Sequence, residues 1–260
     1  MRRISGLWHR TSAQPSALEQ KTDRLTDQLD KAEGRVTHTG IERARERIVS
    51  AEAAALAGTA AAILLSLSTY LLARQPGVLS SSTDRQWYTD ATNRTWVLVG
   101  LNLAPLGVVA FLWFVAVIRR RLGAREDQFF ATVFFGSALV FAVLTIAAAV
   151  AASAPTLVVR FGSEPTPPNS IVTLSHALWF GLWGVGGSRL AGVFMVAAST
   201  VGRRFGAFPR WLSGFGGLAG ALLGVTGAFA GPLDFLFPLW LIVVSITLWI
   251  NGRARAESTA

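Results

Sequence analysis

The chain has 260 residues, of which 52% are hydrophobic and only 15% are charged, whereas charged residues make up about 25% of an ordinary soluble domain. Its uncharged runs of about 20 residues are typical of membrane-spanning helices and argue against a water-soluble globular protein. The formal net charge is +9, and the basic residues cluster at the ends of the apolar runs. This charge therefore indicates membrane topology, and we expect no nucleic-acid partner.

Cysteine is absent, which excludes disulfides, thiolate metal sites and a cysteine nucleophile. The three histidines, His9, His38 and His176, are too scattered in the sequence to suggest a metal cluster. The sequence also lacks a Ser/His/Asp set, a zinc-protease motif and a phosphate-binding glycine loop. We therefore expect no metal site, no cofactor and no catalytic residue.

Residues 1–50 form a polar segment that we expect to lie in the cytoplasm and to be helical from about residue 16. Its apolar residues follow a 7-4-3-4 spacing that places them on one face of a helix: Leu18, Leu25, Leu29, Ala32 and Val36. Two interpretations fit this pattern. The segment is either a solvated helix that leads into the membrane, or a short coiled coil or partner-docking helix. The first apolar run begins near residue 51, so we expect no cleavable signal peptide.

Six apolar runs follow, each near the ~20 residues that a helix needs to cross a bilayer. They cover residues 52–73, 96–118, 128–152, 176–201, 211–231 and 233–250. The alternating pattern of a membrane β-barrel is missing. The sequence therefore predicts an all-α membrane protein, with a six-helix transmembrane domain over residues 51–251 and a cytoplasmic tail over residues 252–260.

The loops on the two sides of the predicted spans differ in their content of Lys and Arg. Counted near the spans, fourteen of these residues lie on the side that holds both termini, and four lie on the other side, at Arg74, Arg85, Arg94 and Arg160. By the positive-inside rule, both termini lie in the cytoplasm and the protein crosses the plasma membrane several times. We expect aromatic residues of the outer loop 74–95 to lie at the interface, and the proline-rich outer loop 153–170 to be irregular and extended.

Arg189 lies inside the fourth apolar run. A charged arginine there costs roughly 2.5–3.5 kcal/mol on insertion scales, so it normally has a partner. Counting residues places Arg189 roughly 10 Å and Asn102 roughly 9 Å below the outer boundary, and we expect the two side chains to meet inside the bundle. A carbonyl freed by Pro105 and the carboxylate of Asp234 are further candidate acceptors. This intramembrane polar site either holds the outer half of the bundle together or binds a ligand or anion.

The fifth run places Gly216, Gly220 and Gly224 at four-residue spacing. Small residues at this spacing let the backbone of a neighbouring helix approach closely. They indicate packing inside the bundle or, alternatively, a dimer interface or a moving helix. The glycines just before Arg189 serve the same purpose or permit an unwound turn.

Two functions remain open. The first is a non-enzymatic membrane protein that packs with itself or with a membrane protein partner in the lipid bilayer. The alternative is a small transporter or channel-like protein with a polar site around Arg189 and Asn102. A membrane enzyme would need groups that this sequence does not display.

Several short segments carry a resemblance to a known family: residues 111–114, 125–133, 189–195, 208–212 and 237–240. Over about residues 50–250 the chain resembles a family of uncharacterised six-helix integral membrane proteins of actinobacteria, of the domain-of-unknown-function type. The resemblance implies a bacterial cell membrane and six spans, and it brings no activity, cofactor or catalytic residue. In that family the stretch before the arginine usually carries tyrosine and asparagine, whereas here it consists of residues 183–188, Trp-Gly-Val-Gly-Gly-Ser.

Overall fold

A computed structural model describes residues 52–122, 128–204, 206, 208–226 and 235–257. The predicted N-terminal segment 1–50 lies outside these ranges, as do Asp234 and the last residues of the predicted tail. The statements that follow refer to the described ranges.

Helices account for the regular structure of these ranges, and no strand occurs in them, which confirms the all-α class. In chain order the elements are α1 (Glu52–Ala73), α2 (Ser82–Thr89), α3 (Ala91–Leu122), α4 (Gln128–Phe161), α5 (Asn169–Trp179), a π-helix (Phe180–Gly187), α6 (Ser188–Arg204), α7 (Arg210–Thr226) and α8 (Leu236–Glu257). Helix α8 therefore continues into the predicted tail.

Four helical stretches are long and apolar enough to cross a membrane: Glu52–Ala73, Ala91–Arg119, Thr132–Phe161 and Asn169–Arg204. They overlap the first four predicted spans and indicate a multi-pass membrane protein. Helix α7 has 17 residues, and the apolar part of α8 covers Leu236–Asn251. Both are shorter than the ~20 residues of a typical span. Length and composition thus establish four candidate spans.

The outer surface of the helices is apolar. Several large side chains are more than half exposed, among them Trp113 at 70%, Val143 at 66% and Leu218 at 74%. Apolar surface of this extent is rare on soluble monomers and marks membrane or protein contact. It is consistent with contact between these helices and a lipid bilayer.

A cluster of aromatic rings forms the centre of the core. Phe111 of α3 packs edge-on against Phe141 of α4 and Phe194 of α6, with ring centres 5.4 Å and 5.1 Å apart. Phe237 of α8 lies 4.8 Å from Phe141. Each such pair adds about 0.5–1.5 kcal/mol beyond the burial of its surface. The cluster therefore links α3, α4, α6 and α8.

The irregular loop predicted over residues 153–170 is confirmed for residues 162–168 and corrected before them, where α4 is still helical. Helix α4 continues through Pro155 to Phe161, and α5 already begins at Asn169. Proline has no N–H to bond the carbonyl one turn back, here that of Ala151. The Ser175 hydroxyl of α5 donates to this carbonyl instead, and the Gln75 amide donates to the neighbouring Ala152 carbonyl at 3.0 Å. Because the Ser175 hydroxyl replaces the lost bond to Ala151, the helix tolerates the proline.

Helix α2 lies in the loop 74–95, where the sequence analysis expected only interfacial aromatic residues. Its N-cap is Ser81, whose hydroxyl accepts from the Asp84 N–H at 3.2 Å, while the Asp84 carboxylate accepts from the Ser81 N–H at 2.8 Å. This reciprocal pair is a capping box, and its sequence signal is a serine followed three residues later by an acidic residue. At the other end of α2, the Arg94 guanidinium donates to the carbonyls of Tyr88 and Thr89.

Candidate intramembrane polar sites

Arg189 lies at the start of α6, directly after the π-helix Phe180–Gly187. The glycines in that segment are Gly181, Gly184, Gly186 and Gly187. A π-helix is rare and often occurs at functional sites. The Arg189 side chain is half-buried, and its Nη1 donates a bond of 2.8 Å to the Val185 carbonyl one turn earlier. A guanidinium has five donor hydrogens, so this bond leaves four for other acceptors.

Asn102 lies on the outside of α3 and does not share a hydrogen bond with Arg189. It is exposed, and its Nδ2 donates to the Leu98 carbonyl of its own helix at 2.8 Å. The residue count in the sequence compared only the depth of the two side chains. Depth does not fix the direction in which a side chain leaves its helix, because that direction turns by about 100° per residue. Asp234, the third residue of the predicted site, lies outside the described residues.

Pro105 leaves α3 unbroken, since the helix continues from Ala91 to Leu122. In the turn before the proline, the Ser68 hydroxyl of α1 donates to the Gly100 carbonyl at 2.7 Å. A hydroxyl from a neighbouring helix thus bonds the backbone near this proline, as it does near Pro155. No hydrogen bond between Arg189 and this part of α3 occurs in the described residues.

The glycines of α7 occupy three different environments. A Cβ atom added to Gly220 would lie 2.7 Å from the Gly192 carbonyl oxygen and 2.9 Å from the Met195 Cβ, both on α6. A Cβ added to Gly216 would clash with the Ser199 hydroxyl and the Trp240 indole nitrogen, whereas one added to Gly224 would meet nothing within 4 Å. The backbone of Gly224 nevertheless lies against Gly192. Gly216 and Gly220 therefore allow close packing of α7 within the chain.

Two buried polar atoms lie beside Gly216, and the sequence analysis did not identify them. They are the Ser199 Oγ and the Trp240 Nε1, from α6 and α8, and both residues are at most 2% exposed. Neither atom has a hydrogen-bond partner among the described residues. An unpaired buried polar group costs about 1–3 kcal/mol. Two unpaired polar groups of the interior thus lie where α7 has no side chain.

A second polar site missed in the sequence lies where α1, α2, α4 and α5 meet. It is a cavity of about 30 Å³, measured as the space open to the centre of a water-sized sphere. Its lining residues with polar side-chain groups are Gln75, Tyr88, Ser175, His176 and Trp179, whose indole carries one N–H. About 10–15 Å³ by this measure holds one water molecule, so the cavity has room for a small polar group.

The Gln75 amide determines the hydrogen-bonding capacity of the cavity. Its Nε2 donates to the carbonyls of Leu72 at 3.1 Å and Ala152 at 3.0 Å, which fixes the orientation of the amide because carbonyls only accept. The Oε1 therefore cannot exchange places with the nitrogen. This oxygen is buried and has no partner among the described residues. It is an acceptor without a donor.

Tyr88 closes the cavity on the side of α2 and is 1% exposed. Its hydroxyl donates to the Pro76 carbonyl at 3.0 Å. Burial, with a smaller contribution from the nearby Asp84 carboxylate, raises the pKa of Tyr88 well above its ordinary value of 10. The hydroxyl therefore stays protonated and keeps this bond at physiological pH. The sequence signal for this site was Pro155, whose missing N–H leaves the Ala151 carbonyl free to accept from Ser175.

Comparison of the chain with protein-family models, with curated proteins and with solved structures gives no match. Functional inference therefore rests on the geometry of these sites.

Proposed function

We propose that this protein is a non-enzymatic, multi-pass protein of the plasma membrane that acts by associating with itself, or with partner proteins, inside the bilayer. We further propose six spans, with α7 and α8 as the last two, and both termini in the cytoplasm. The charge asymmetry of fourteen Lys and Arg against four supports this orientation. The observation that carries the association is the placement of Asn102.

Asn102 lies in the first half of the candidate span Ala91–Arg119 and is exposed on it. The spacing of Asn102, Leu106, Val109 and Trp113 is four, three and four residues, so the four share one helix face. The last three are 57%, 52% and 70% exposed. An exposed amide therefore shares a helix face with three apolar side chains that no described helix covers.

The amide of Asn102 has unused hydrogen-bonding capacity. Its bond to the Leu98 carbonyl uses one N–H, which leaves a second N–H and the Oδ1. Lipid tails offer neither donors nor acceptors, so polar groups of this kind are satisfied by neighbouring helices. A second copy related by a two-fold axis brings an identical amide, and each can donate to the other. A second copy of this chain is therefore the simplest partner for this face.

Cross-linking in membranes tests the proposal, because the chain contains no native cysteine. Leu106→Cys lies one turn from Asn102 and should give cross-linked dimers with a short bis-maleimide. Val143→Cys, on an exposed face of α4, is the matched control and should give few. Adding Asn102→Leu to the Leu106→Cys protein should weaken dimerisation by about three- to twentyfold, since one interhelical polar contact contributes about 0.6–1.7 kcal/mol. Equal cross-linking at positions 106 and 143 would contradict association through this face.

The alternative is a small transporter or channel-like protein with a polar site around Arg189, and the adjacent π-helix is the observation that favours it. Arg189→Leu separates the two functions when folding and solute flux are both measured in proteoliposomes. Loss of folding indicates a structural arginine. Retained folding with an altered flux of a small anion indicates a transport site.

A further inference from the structure

We propose that the cavity lined by Gln75, Tyr88, Ser175 and His176 binds a hydroxyl group of a polyol, presented by a lipid headgroup or by a free molecule. This site is separate from the Asn102 face, and the inference is independent of the function proposed above. It begins from the Gln75 Oε1, a buried acceptor with no partner among the described residues.

The lining groups determine which chemistry the cavity accepts. The hydroxyl hydrogens of Tyr88 and Ser175 and both amide hydrogens of Gln75 are already donated to backbone carbonyls. What these three side chains still offer is oxygen lone pairs. The occupant must therefore donate at least one hydrogen bond, to the Gln75 Oε1.

The charge of the lining excludes ionic occupants. None of the described lining residues is Asp, Glu, Lys or Arg. An unpaired ammonium or phosphate in such a site would lose its hydration without gaining a counter-ion. A neutral donor fits better.

His176 makes a hydroxyl a better match than a group that only donates. Its ring lies against Gly77, where an added Cβ would come within 2.9 Å of the Nδ1. A neutral imidazole carries one N–H donor and one acceptor nitrogen. A hydroxyl can donate to the Gln75 Oε1 and accept from the histidine N–H. His176 lines the cavity and is itself exposed, so the cavity reaches the surface beside it.

The position of the cavity suits a headgroup. Ala73, which lines it, is the last residue of the candidate span Glu52–Ala73. The ends of membrane spans lie at the level of lipid headgroups. The space of about 30 Å³ for the centre of a water-sized sphere suits one hydroxymethyl end of a glycerol unit, not a whole sugar.

The test uses the full chain, purified and delipidated in detergent, and measures its melting temperature against added phosphatidylglycerol, phosphatidylcholine or free glycerol. Phosphatidylglycerol carries two free headgroup hydroxyls and phosphatidylcholine carries none. The wild type should bind phosphatidylglycerol more tightly than phosphatidylcholine. Gln75→Leu should weaken phosphatidylglycerol binding about tenfold, the value of one good hydrogen bond. Gln86→Leu changes an exposed glutamine of α2 and should leave phosphatidylglycerol binding unchanged.

A second variant covers the case in which Gln75→Leu fails to fold. Ala152→Val narrows the wall of the cavity and retains the Gln75 amide and its carbonyl acceptors. It should lose the preference for phosphatidylglycerol while remaining folded by circular dichroism and gel filtration. A glycerol shift that depends on Gln75, without a matching lipid shift, supports the proposal and identifies a free polyol as the source. The proposal is overturned if both lipids and glycerol shift the melting temperature of the wild type by the same amounts as those of the Gln75→Leu and Ala152→Val proteins. The cavity then holds only water.

Discussion

At the scale of single residues, Gly216 shows how closely the helices of this chain approach. Its missing side chain leaves room for the Ser199 hydroxyl of α6 and the Trp240 indole of α8. Gly217, the next residue, meets nothing within 4 Å of an added Cβ. Both glycines belong to α7, but only Gly216 lies where neighbouring helices contact it.

This difference predicts opposite effects of the same substitution. Gly216→Ala should reduce the free energy of unfolding by about 1–3 kcal/mol, because the added methyl group overpacks the contact with α6 and α8. Gly217→Ala should be neutral or slightly stabilising, since alanine is favoured over glycine in a helix interior by about 0.5–1 kcal/mol. Melting temperatures of the two variants in the same detergent provide the measurement. Equal destabilisation by both would show that the contact at Gly216 does not limit packing.

The predicted polar site shows what residue counting can and cannot provide. The count placed Arg189 and Asn102 at a similar depth, and that is all that a rise per residue determines. Asn102 belongs to the exposed face of α3 with Leu106 and Trp113. The four-three-four spacing of Asn102, Leu106, Val109 and Trp113 is visible in the sequence and groups Asn102 with these apolar residues on one helix face.

At the scale of elements, Pro155 illustrates how a membrane helix accepts a proline. The sequence suggested a loop because proline ends most helices in water. In the structure the Ser175 hydroxyl of α5 donates a hydrogen bond to the Ala151 carbonyl of α4, which has no backbone donor because residue 155 is proline. The replacement comes from a residue 24 positions away, so local sequence patterns did not predict it.

A double-mutant cycle tests this replacement. Ser175→Ala should cost about 1–3 kcal/mol in the wild-type background, because it leaves the Ala151 carbonyl buried without a donor. In the Pro155→Ala background the helix regains its own N–H at position 155, so the same change should cost much less. Ser170→Ala, at an exposed serine one helix turn earlier in α5, is the control. Equal costs of Ser175→Ala in both backgrounds would contradict the account, since the cycle measures the coupling directly.

The capping box of α2 predicts a dependence on pH. The Ser81 and Ser80 hydroxyls and the Ser81 N–H bond the Asp84 carboxylate and lower its pKa below the ordinary value of 3.8. A carboxyl whose pKa is lowered by folding stabilises the structure above its unfolded pKa and loses this effect as pH falls through the folded value. Protection of the Ser80 and Ser81 amides in residue-resolved hydrogen exchange, corrected for intrinsic rates, should therefore persist at pH 5 and fall only below 3.8. Asp84→Asn should give low protection at both pH values.

At the scale of the whole molecule, the all-α fold class could be predicted well, because this class follows from composition and from the length of the apolar runs. Apolar runs of bilayer length predicted the helical class, which is confirmed, and the first four runs coincide with helices long and apolar enough to be candidate spans. The ends of elements were predicted less well. Helix α4 ends at Phe161 instead of residue 152, and the fourth span begins at Asn169 instead of residue 176. Tertiary hydrogen bonds determine the extension of α4, whereas composition determines the apolar centre of each helix.

Arginines at the ends of α3 and α8 suit the proposed topology. The guanidinium carbon of Arg253 lies 4.1 Å from the Trp249 ring centre, and that of Arg119 lies 5.0 Å from the ring of Phe135. Such pairs keep the stem of a long side chain on apolar surface while its charge reaches the polar boundary. In the proposed topology both pairs lie on the cytoplasmic side, where positive charge is enriched.

Whether the protein crosses the membrane four or six times changes the location of one loop only. Both counts are even, so the two termini lie on the same side in either case. The segment between α7 and α8 lies outside the cell only if these two helices also cross, and both have apolar stretches shorter than a typical span. Single cysteines in the cysteine-free chain can therefore separate orientation from span number.

We expect Ser82→Cys and Thr166→Cys to react with an impermeant thiol reagent in intact cells, because both lie in the loops with few basic residues. Ser5→Cys, Gly123→Cys and Glu257→Cys should react only after the cells are made permeable. Strong labelling of Gly123→Cys in intact cells would reverse the topology, since residue 123 directly follows the basic end of α3. Gly231→Cys then decides the number of spans. Labelling from outside requires α7 and α8 to cross the bilayer as a hairpin, and labelling only after permeabilisation leaves them on the cytoplasmic side, with four spans in total.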